Sequence, residues 1–522
     1  MHALLFRRRL TWLVFATCLI LNLVFITTRG AWESDLAGDP DEAAHAVTSL
    51  MLRDYLAGGW KQPPMTFAQQ YYADFPKVAL GHYPPGYYLL AGAWMLPGAS
   101  VPALFVLQAA LGAALCAVLY RIVSKAGGTW AGVVSALLMS VLPTGLKQIQ
   151  LVMSDTLVVL LGLTAALIWR DYLNRPTARR SLGFGLVAAA AILTKGSAMG
   201  LCVIPPLATL LCGRLGLLKR VSWWLCGVPV LLMAAPWMLY SSKITAEGML
   251  HVSLAEFLPE ATAYYLKALP RALGWPLALL APAGVVLMSW LGRGGCGKHA
   301  TQSAALGALA FGALLIILLV PAGMTERYLL PAMPVLLAGV VTATGILWQP
   351  GSRGQAIALL AMMAAALPMV GWPEKRVSGF STSVARAGVP AEAISRQTNW
   401  LVASDPRGEG AVIAAAAFDC PQRSPSPLRV YRGSKELSSS DWMGRGYKPA
   451  FNTPKELLEH LDRLKITRVF VDLSVPANQR KEHERLLEAA LDNSHASWAM
   501  EFEQTVTRSP GLIGRMRVYK RL

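Results

Sequence analysis

Charge is scarce in this chain, and acidic charge scarcest of all. Only 15% of its 522 residues are charged, and 30 Asp and Glu stand against 48 Lys and Arg. A soluble domain carries about 25% charged residues. Here 54% of residues are hydrophobic and the mean hydropathy is +0.43. A water-soluble chain of this length cannot bury so much apolar side chain, so the composition predicts a polytopic membrane protein. Cysteine is scarce too. Of seven, only Cys420 lies beyond residue 373, which excludes a disulfide within the tail. No cysteine pair has metal-ligand spacing.

The net charge of +18 first suggests a nucleic-acid partner. Its placement argues otherwise. Residues 1–372 hold 25 basic and 13 acidic residues, and residues 373–522 hold 23 and 17. The first part reads as membrane and the second as a soluble domain. Apolar runs fall at 10–28, 100–120, 128–143, 154–169, 181–197, 199–213, 222–240, 272–291, 301–321, 328–348 and 354–372. These are eleven candidate spans near the ~20 residues a bilayer requires. The stretch 83–97 is shorter and reads as a helix in the outer interface. With that stretch uncounted, the basic clusters fall on one side, beginning with Arg7, Arg8 and Arg9. The positive-inside rule then places the N-terminus in the cytoplasm and residues 373–522 outside. The first run is read as a retained anchor rather than a signal peptide, because it lacks a small-residue cleavage site.

The acids of the membrane part gather on the outer side. Residues 29–99 form a first external loop, long enough to be functional. Residues 41–57 are predicted helical, with Asp39 as cap and Pro40 at the first position. On that helix Asp41, Glu42 and His45 share a face. They are either a site or acids that favour the helix dipole. Asp155 stands at a membrane boundary, where an ionisable group is a functional candidate by default and an N-cap by alternative. Lys195 sits between two short apolar halves and requires water, an anion or a carboxylate, or snorkels outward. Arg327, beside Tyr328, either grips a phosphate or anchors the interface. A carboxylate to take an acceptor proton and a cation to stabilise a leaving phosphate are what transfer from a lipid-borne phosphate requires.

Four segments resemble one family in order, spacing and side: Pro40-Asp41-Glu42; His82-Tyr83-Pro84-Pro85-Gly86-Tyr87-Tyr88; Ser154-Asp155 followed by Leu193-Thr194-Lys195-Gly196; and Arg327-Tyr328-Leu329-Leu330-Pro331-Ala332-Met333-Pro334. They are similar to the polytopic GT-C glycosyltransferases, specifically the protein O-mannosyltransferase-like group that includes the lipid A aminoarabinose transferases. The resemblance covers about residues 8–372. It implies a polyprenyl-phosphate sugar donor, a lipid, glycan or protein hydroxyl acceptor, and inversion at the anomeric carbon. It implies Asp41 as base, with Glu42 and Asp155 catalytic beside it. Arg327, Tyr328 and Lys195 would hold the donor phosphate, and His45, His82, Tyr83 and Tyr87 would contact substrate. In the aminoarabinose transferases a Glu-Lys pair stands where His82 and Tyr83 stand here. Whether Asp41, His82 and Asp155 bind a divalent metal is left open. Membrane lipids are expected partners and nucleic acid is not. A transporter or lipid-linked sugar flippase is the alternative function.

The tail, 373–522, reads as an external α/β domain. Strands are predicted at 411–417, 467–473, 497–506 and 514–520, and helices at 453–464 and 478–491. Its role is either acceptor binding or a structural cap.

Overall fold

The computed structural model describes residues 2–291, 299–373, 376–390, 398–421, 423–441, 444–509 and 512–522. All eleven apolar runs fall on helical segments. Among the described residues, five helices are long and apolar enough to cross a membrane: Arg8–Thr28, Val101–Val141, Asp155–Asn174, Val221–Glu247 and Ala300–Leu319. A sixth is the pair Leu254–Leu273 and Trp275–Trp290, bent by 117°, if the two count as one span. Shorter apolar helices at Gly196–Leu211, Met333–Leu347 and Arg353–Met369 pack among them. By length and composition this is fewer than eleven crossings. The larger number rests on the charge pattern.

Two expected spans, 100–120 and 128–143, are the arms of one helical run, Val101–Val141. Arg121 and Lys125 lie within the first arm, ahead of the break, rather than in a loop. The run breaks at Gly128, whose φ of +78° is open to glycine at little cost. A Cβ there would lie 2.6 Å from Cα of Gly351, so the close approach also requires glycine.

Residues 29–99, the loop after the first apolar helix, fold into a helical platform. Its main helix is Glu42–Ala57. It begins after Asp41, two residues later than a cap at Asp39 implies. Asp39 instead closes the preceding turn, accepting from the backbone N of Asp41 at 3.1 Å. Helix Gly86–Trp94 packs on this platform. Tyr87 and Tyr88 face inward, while Leu89, Leu90 and Trp94 are exposed, as an interface helix requires.

The tail is an α/β domain as expected, but one element differs. Residues 411–417 belong to a helix, Pro406–Asp419, not a strand. The Asp405 carboxylate accepts from Gly408 N at 2.9 Å and Pro406 takes the first turn. The alanine run then follows its high helix propensity. The strands are β1 (Thr398–Ala403), β2 (Leu428–Arg432), β3 (Ser438–Ser439), β4 (Lys448–Pro449), β5 (Ile466–Asp472), β6 (Trp498–Ser509) and β7 (Leu512–Arg521). The main sheet runs β2-β1-β5-β7-β6, with β1 parallel to β2 and β5, and β7 antiparallel to β5 and β6. The two expected helices lie where the periodicity placed them, as Pro454–Arg463 and Glu482–Asp492, the second starting four residues late, and Phe380–Ala387 and Gly433–Glu436 are additional.

This domain docks on the loop platform. Ala43, Ala46, Val47 and Leu50 of the loop helix share a core with Val412, Ile413 and Ala416. Asp35 of the loop accepts from the backbone N of Phe380 and Ser381, both at 2.7 Å, and so caps helix Phe380–Ala387. Arg423 pairs with Asp54 at 3.3 Å and Arg429 with Asp74 at 3.2 Å. Asp35→Ala leaves two buried N–H groups unsatisfied and should cost about 1–3 kcal/mol. The expected outcome is a lower melting temperature in detergent together with faster proteolysis between the spans and the tail.

Candidate active site

Four elements frame the site. The loop platform brings Asp39, Asp41 and Tyr83. The start of helix Asp155–Asn174 brings Asp155. The 3-10 turn Glu326–Leu329, ahead of helix Met333–Leu347, brings Arg327 and Tyr328. Lys195 comes from the break between helix Ala178–Ile192 and the 3-10 segment Gly196–Val203.

The Asp41 carboxylate receives two donors on Oδ2. The Tyr83 hydroxyl donates at 2.8 Å and Arg327 Nη2 at 3.1 Å. Arg327 Nη1 donates to Asp39 at 3.2 Å, so one guanidinium ties two loop carboxylates to the late turn. Burial pushes the Asp41 carboxyl up, but Arg327 and the Tyr83 hydroxyl outweigh it and hold it below the usual carboxylate range. Asp41 is therefore a carboxylate at neutral pH. Burial and the Asp41 charge push the Tyr83 phenol well above its usual value, so Tyr83 remains a donor.

Neither Asp155 nor Ser154 makes a side-chain cap on the following helix. Asp155 Oδ1 accepts from Lys195 Nζ at 2.7 Å, with both side chains at least nine-tenths buried. Lys195 thus meets a carboxylate rather than snorkelling outward. Asp155 Oδ2 and Arg327 Nε are buried without a hydrogen-bond partner among the described residues. Lys195 Nζ lies 5.2 Å and Arg327 Cζ 5.5 Å from the Tyr328 ring centroid, so both cations use its π face.

These groups line one cavity of about 480 Å³. Asp41, His82, Tyr83, Asp155, Lys195, Arg327 and Tyr328 supply most of its polar lining. Val158, Val159, Leu201, Leu309, Ile316 and Ile317 are among its apolar lining. A charged head and an apolar body is the shape of an amphipathic lipid ligand.

Three sequence candidates do not line it. His45 lies behind Tyr83, with ring centroids 4.7 Å apart, and packs on Tyr87 and Tyr88. Burial lowers its pKa to about 4, so the ring is neutral and supports the tyrosines from behind. The Tyr87 hydroxyl accepts from Gln108 Nε2 at 2.8 Å, away from the cavity. Glu42 is fully buried and paired with Arg376 at 2.8 Å. Asp39 and Arg376 were not candidates. Asp39 was hidden among neighbouring acids, and Arg376 had no local signal, since its partner is 334 residues away.

The donor set does not suit a metal. Asp41, His82 and Asp155 line the same cavity, yet no three His, Cys, Asp or Glu side chains among the described residues are placed to share an ion. Arg327 and Lys195 already neutralise the two acids.

The fold is that of the GT-C glycosyltransferases: apolar helices, a helical external loop over a cavity, and a C-terminal sheet domain. Residues 81–240 match the family model described as dolichyl-phosphate-mannose-protein mannosyltransferase. Among solved structures, the chain is similar to ArnT from Cupriavidus metallidurans in the apo state, with a TM-score of 0.55 and 14% identity over 97% of each chain. It is also similar to the oligosaccharyltransferase of Archaeoglobus fulgidus in its apo form, with a TM-score of 0.54, 11% identity, and coverage of 88% of this chain and 69% of that one. A further match is the same archaeal enzyme, AglB, in complex with an inhibitory peptide and a dolichol-phosphate, at a TM-score of 0.50 and 12% identity, covering 90% of this chain and 70% of that one. No curated protein matches the sequence at a significant level.

Breaking a buried ion pair by removing one partner costs about 3–5 kcal/mol, because a charge is stranded. Lys195→Met and Asp155→Leu should each lower the melting temperature. The double variant should lie well above their sum, and a double-mutant cycle in detergent reads the difference.

Proposed function

We propose that this chain is an integral-membrane glycosyltransferase that moves a sugar from a polyprenyl-phosphate donor to a hydroxyl acceptor. The observation that supports it best is the mixed lining of the cavity, which sets acids and cations beside many aliphatic side chains. The apolar lining fits a prenyl chain and the charged groups a sugar phosphate. AglB, one of the structures with this fold, binds a dolichol-phosphate.

Asp41 is the base. The acceptor hydroxyl attacks the anomeric carbon and gives its proton to Asp41. The bond from that carbon to the phosphate oxygen breaks, its electron pair stays on the phosphate, and configuration inverts. Arg327 and Lys195 stabilise the charge developing on the leaving phosphate. Tyr83 holds Asp41 in its rotamer, and Asp155 holds Lys195. His82, at the cavity wall, faces the substrate. The residues divide into a membrane part, 1–372, carrying the catalytic loop 29–99, and a soluble part, 373–522. The basic clusters support a cytoplasmic N-terminus and a C-terminal domain outside the plasma membrane. Sugar and acceptor follow from the shape of the cavity.

A transporter or flippase is the second reading. The unwound segment at Lys195 between two short helices favours it, since transporters bind substrate at such breaks. Transfer by purified protein separates the two. Asp41→Asn should lower transfer from a polyprenyl-phosphate sugar by ~10²–10⁴-fold, and undiminished transfer excludes Asp41 as base. A base works ionised, so activity is lost only as pH falls through its folded pKa. Because Arg327 and Tyr83 keep that value low, kcat/KM should stay flat on the acid side down to about pH 5, as measured by initial rates.

A further inference from the structure

Glu42 follows the base directly, yet its carboxylate points away from the cavity and gathers three separate segments. Oε2 accepts from Gly38 N at 2.9 Å, in the turn that carries Asp39 and Asp41. Oε1 accepts from Val152 N at 3.1 Å, three residues before Asp155. Oε1 also accepts from Arg376 Nη2 at 2.8 Å. Arg376 lies beyond the last apolar run, where the chain enters the soluble domain. Its own donors continue the bracket, with Nε to Ser34 Oγ at 3.0 Å and Nη2 to the Asp35 carbonyl at 2.9 Å. The two side chains are 2% and 0% exposed. The guanidinium rests on the Phe105 ring, 5.2 Å from its centroid. Gly38 leaves it room: a Cβ there would lie 2.6 Å from both Arg376 Nη1 and Leu151 Cδ2.

A buried pair is weak evidence of stability, since desolvation cancels much of its attraction. What this one does is fix geometry. It links the turn bearing Asp41 to the strap bearing Asp155 through two hydrogen bonds on one carboxylate. Burial pushes the Glu42 carboxyl above its usual value, and the Arg376 guanidinium, at the entrance to the C-terminal domain, opposes that shift.

We propose that Arg376 and Glu42 are positioning residues: together they set the distance between Asp41 and Asp155, so that docking of the C-terminal domain completes the transferase site. The role rests on the reading of Asp41 as base. It requires no contact between either side chain and substrate.

The test uses the full-length protein in detergent or nanodiscs, with two readouts. One is transfer from a polyprenyl-phosphate sugar. The other is amide hydrogen exchange of segments 35–41 and 150–154, compared with the spans. Arg376→Met and Glu42→Gln should each lower kcat by about 10–100-fold with donor KM within about threefold, the loss that a misplacement near 1 Å produces. The double variant should lose no more than either single one, because the pair acts as a unit. Exchange should rise in both segments while the spans stay protected. Gly38→Ala, which keeps every charge, should do the same more mildly. The acid side of the pH profile should match that of wild type. An acid limb abolished by Glu42→Gln would make Glu42 itself the titrating group and overturn the proposal. So would additive losses, or exchange rising in one segment alone. Transfer by wild type with unchanged exchange in the variants sinks the bracket alone. A wild-type protein that transfers nothing sinks the reading of Asp41 as base, and the positioning role with it.

Discussion

The site depends on one guanidinium. Arg327 joins Asp39 and Asp41 of the first external loop to a turn 286 residues further along. Without that cation, burial would push the Asp41 carboxyl up, because a charge taken out of water bears a desolvation cost. With it, Asp41 remains an anion with one face still open to a cavity. The same logic repeats beside it, where Lys195 neutralises Asp155. Three acids and two cations form a cluster in which every carboxylate has a cationic partner, which a low-dielectric surrounding can tolerate. Such a cluster is pre-organised: the ions are already out of bulk water when a ligand arrives.

The pairing also explains how charged groups can line a largely apolar cavity. Asp41, Asp155, Lys195 and Arg327 are each held by a partner fixed on a different element. That mixed lining follows from where the helices break, not from any single motif. The break after Ile192 delivers Lys195, and the 3-10 turn before Met333 delivers Arg327.

Fold class was legible because it rests on composition and period. Apolar runs of bilayer length, alternating β5, and the amphipathic helix Pro454–Arg463 each carry their signal within a few residues. Asp41, Asp155, Lys195 and Arg327 stood out for the same reason, as ionisable groups where few occur. Their pairing was not legible, since sequence spacing says nothing about contacts 40 or 286 residues apart. The missed helix Pro406–Asp419 shows a different limit. An alanine run fits a buried strand or a buried helix equally well, and only the Asp405-Pro406 cap distinguishes them. His45 and Tyr87 failed as cavity residues because a shared helix face does not reveal which way that face turns.

The C-terminal domain is more than a passenger on this arrangement. Its entry helix takes its cap from Asp35, and its main helix shares a core with the helix that starts beside Asp41. An external loop of some seventy residues, anchored only at its ends, would hold a carboxylate poorly, since loop order must be supplied by packing. The membrane spans provide one side of that packing. Among the described residues, the soluble domain provides the other, through Val412, Ile413, Ala416 and the Arg423 and Arg429 ion pairs. The loop is a layer between two bodies, and Asp41 sits where that layer meets the helices below. A domain with no catalytic motif of its own therefore shapes the site by fixing the layer from above.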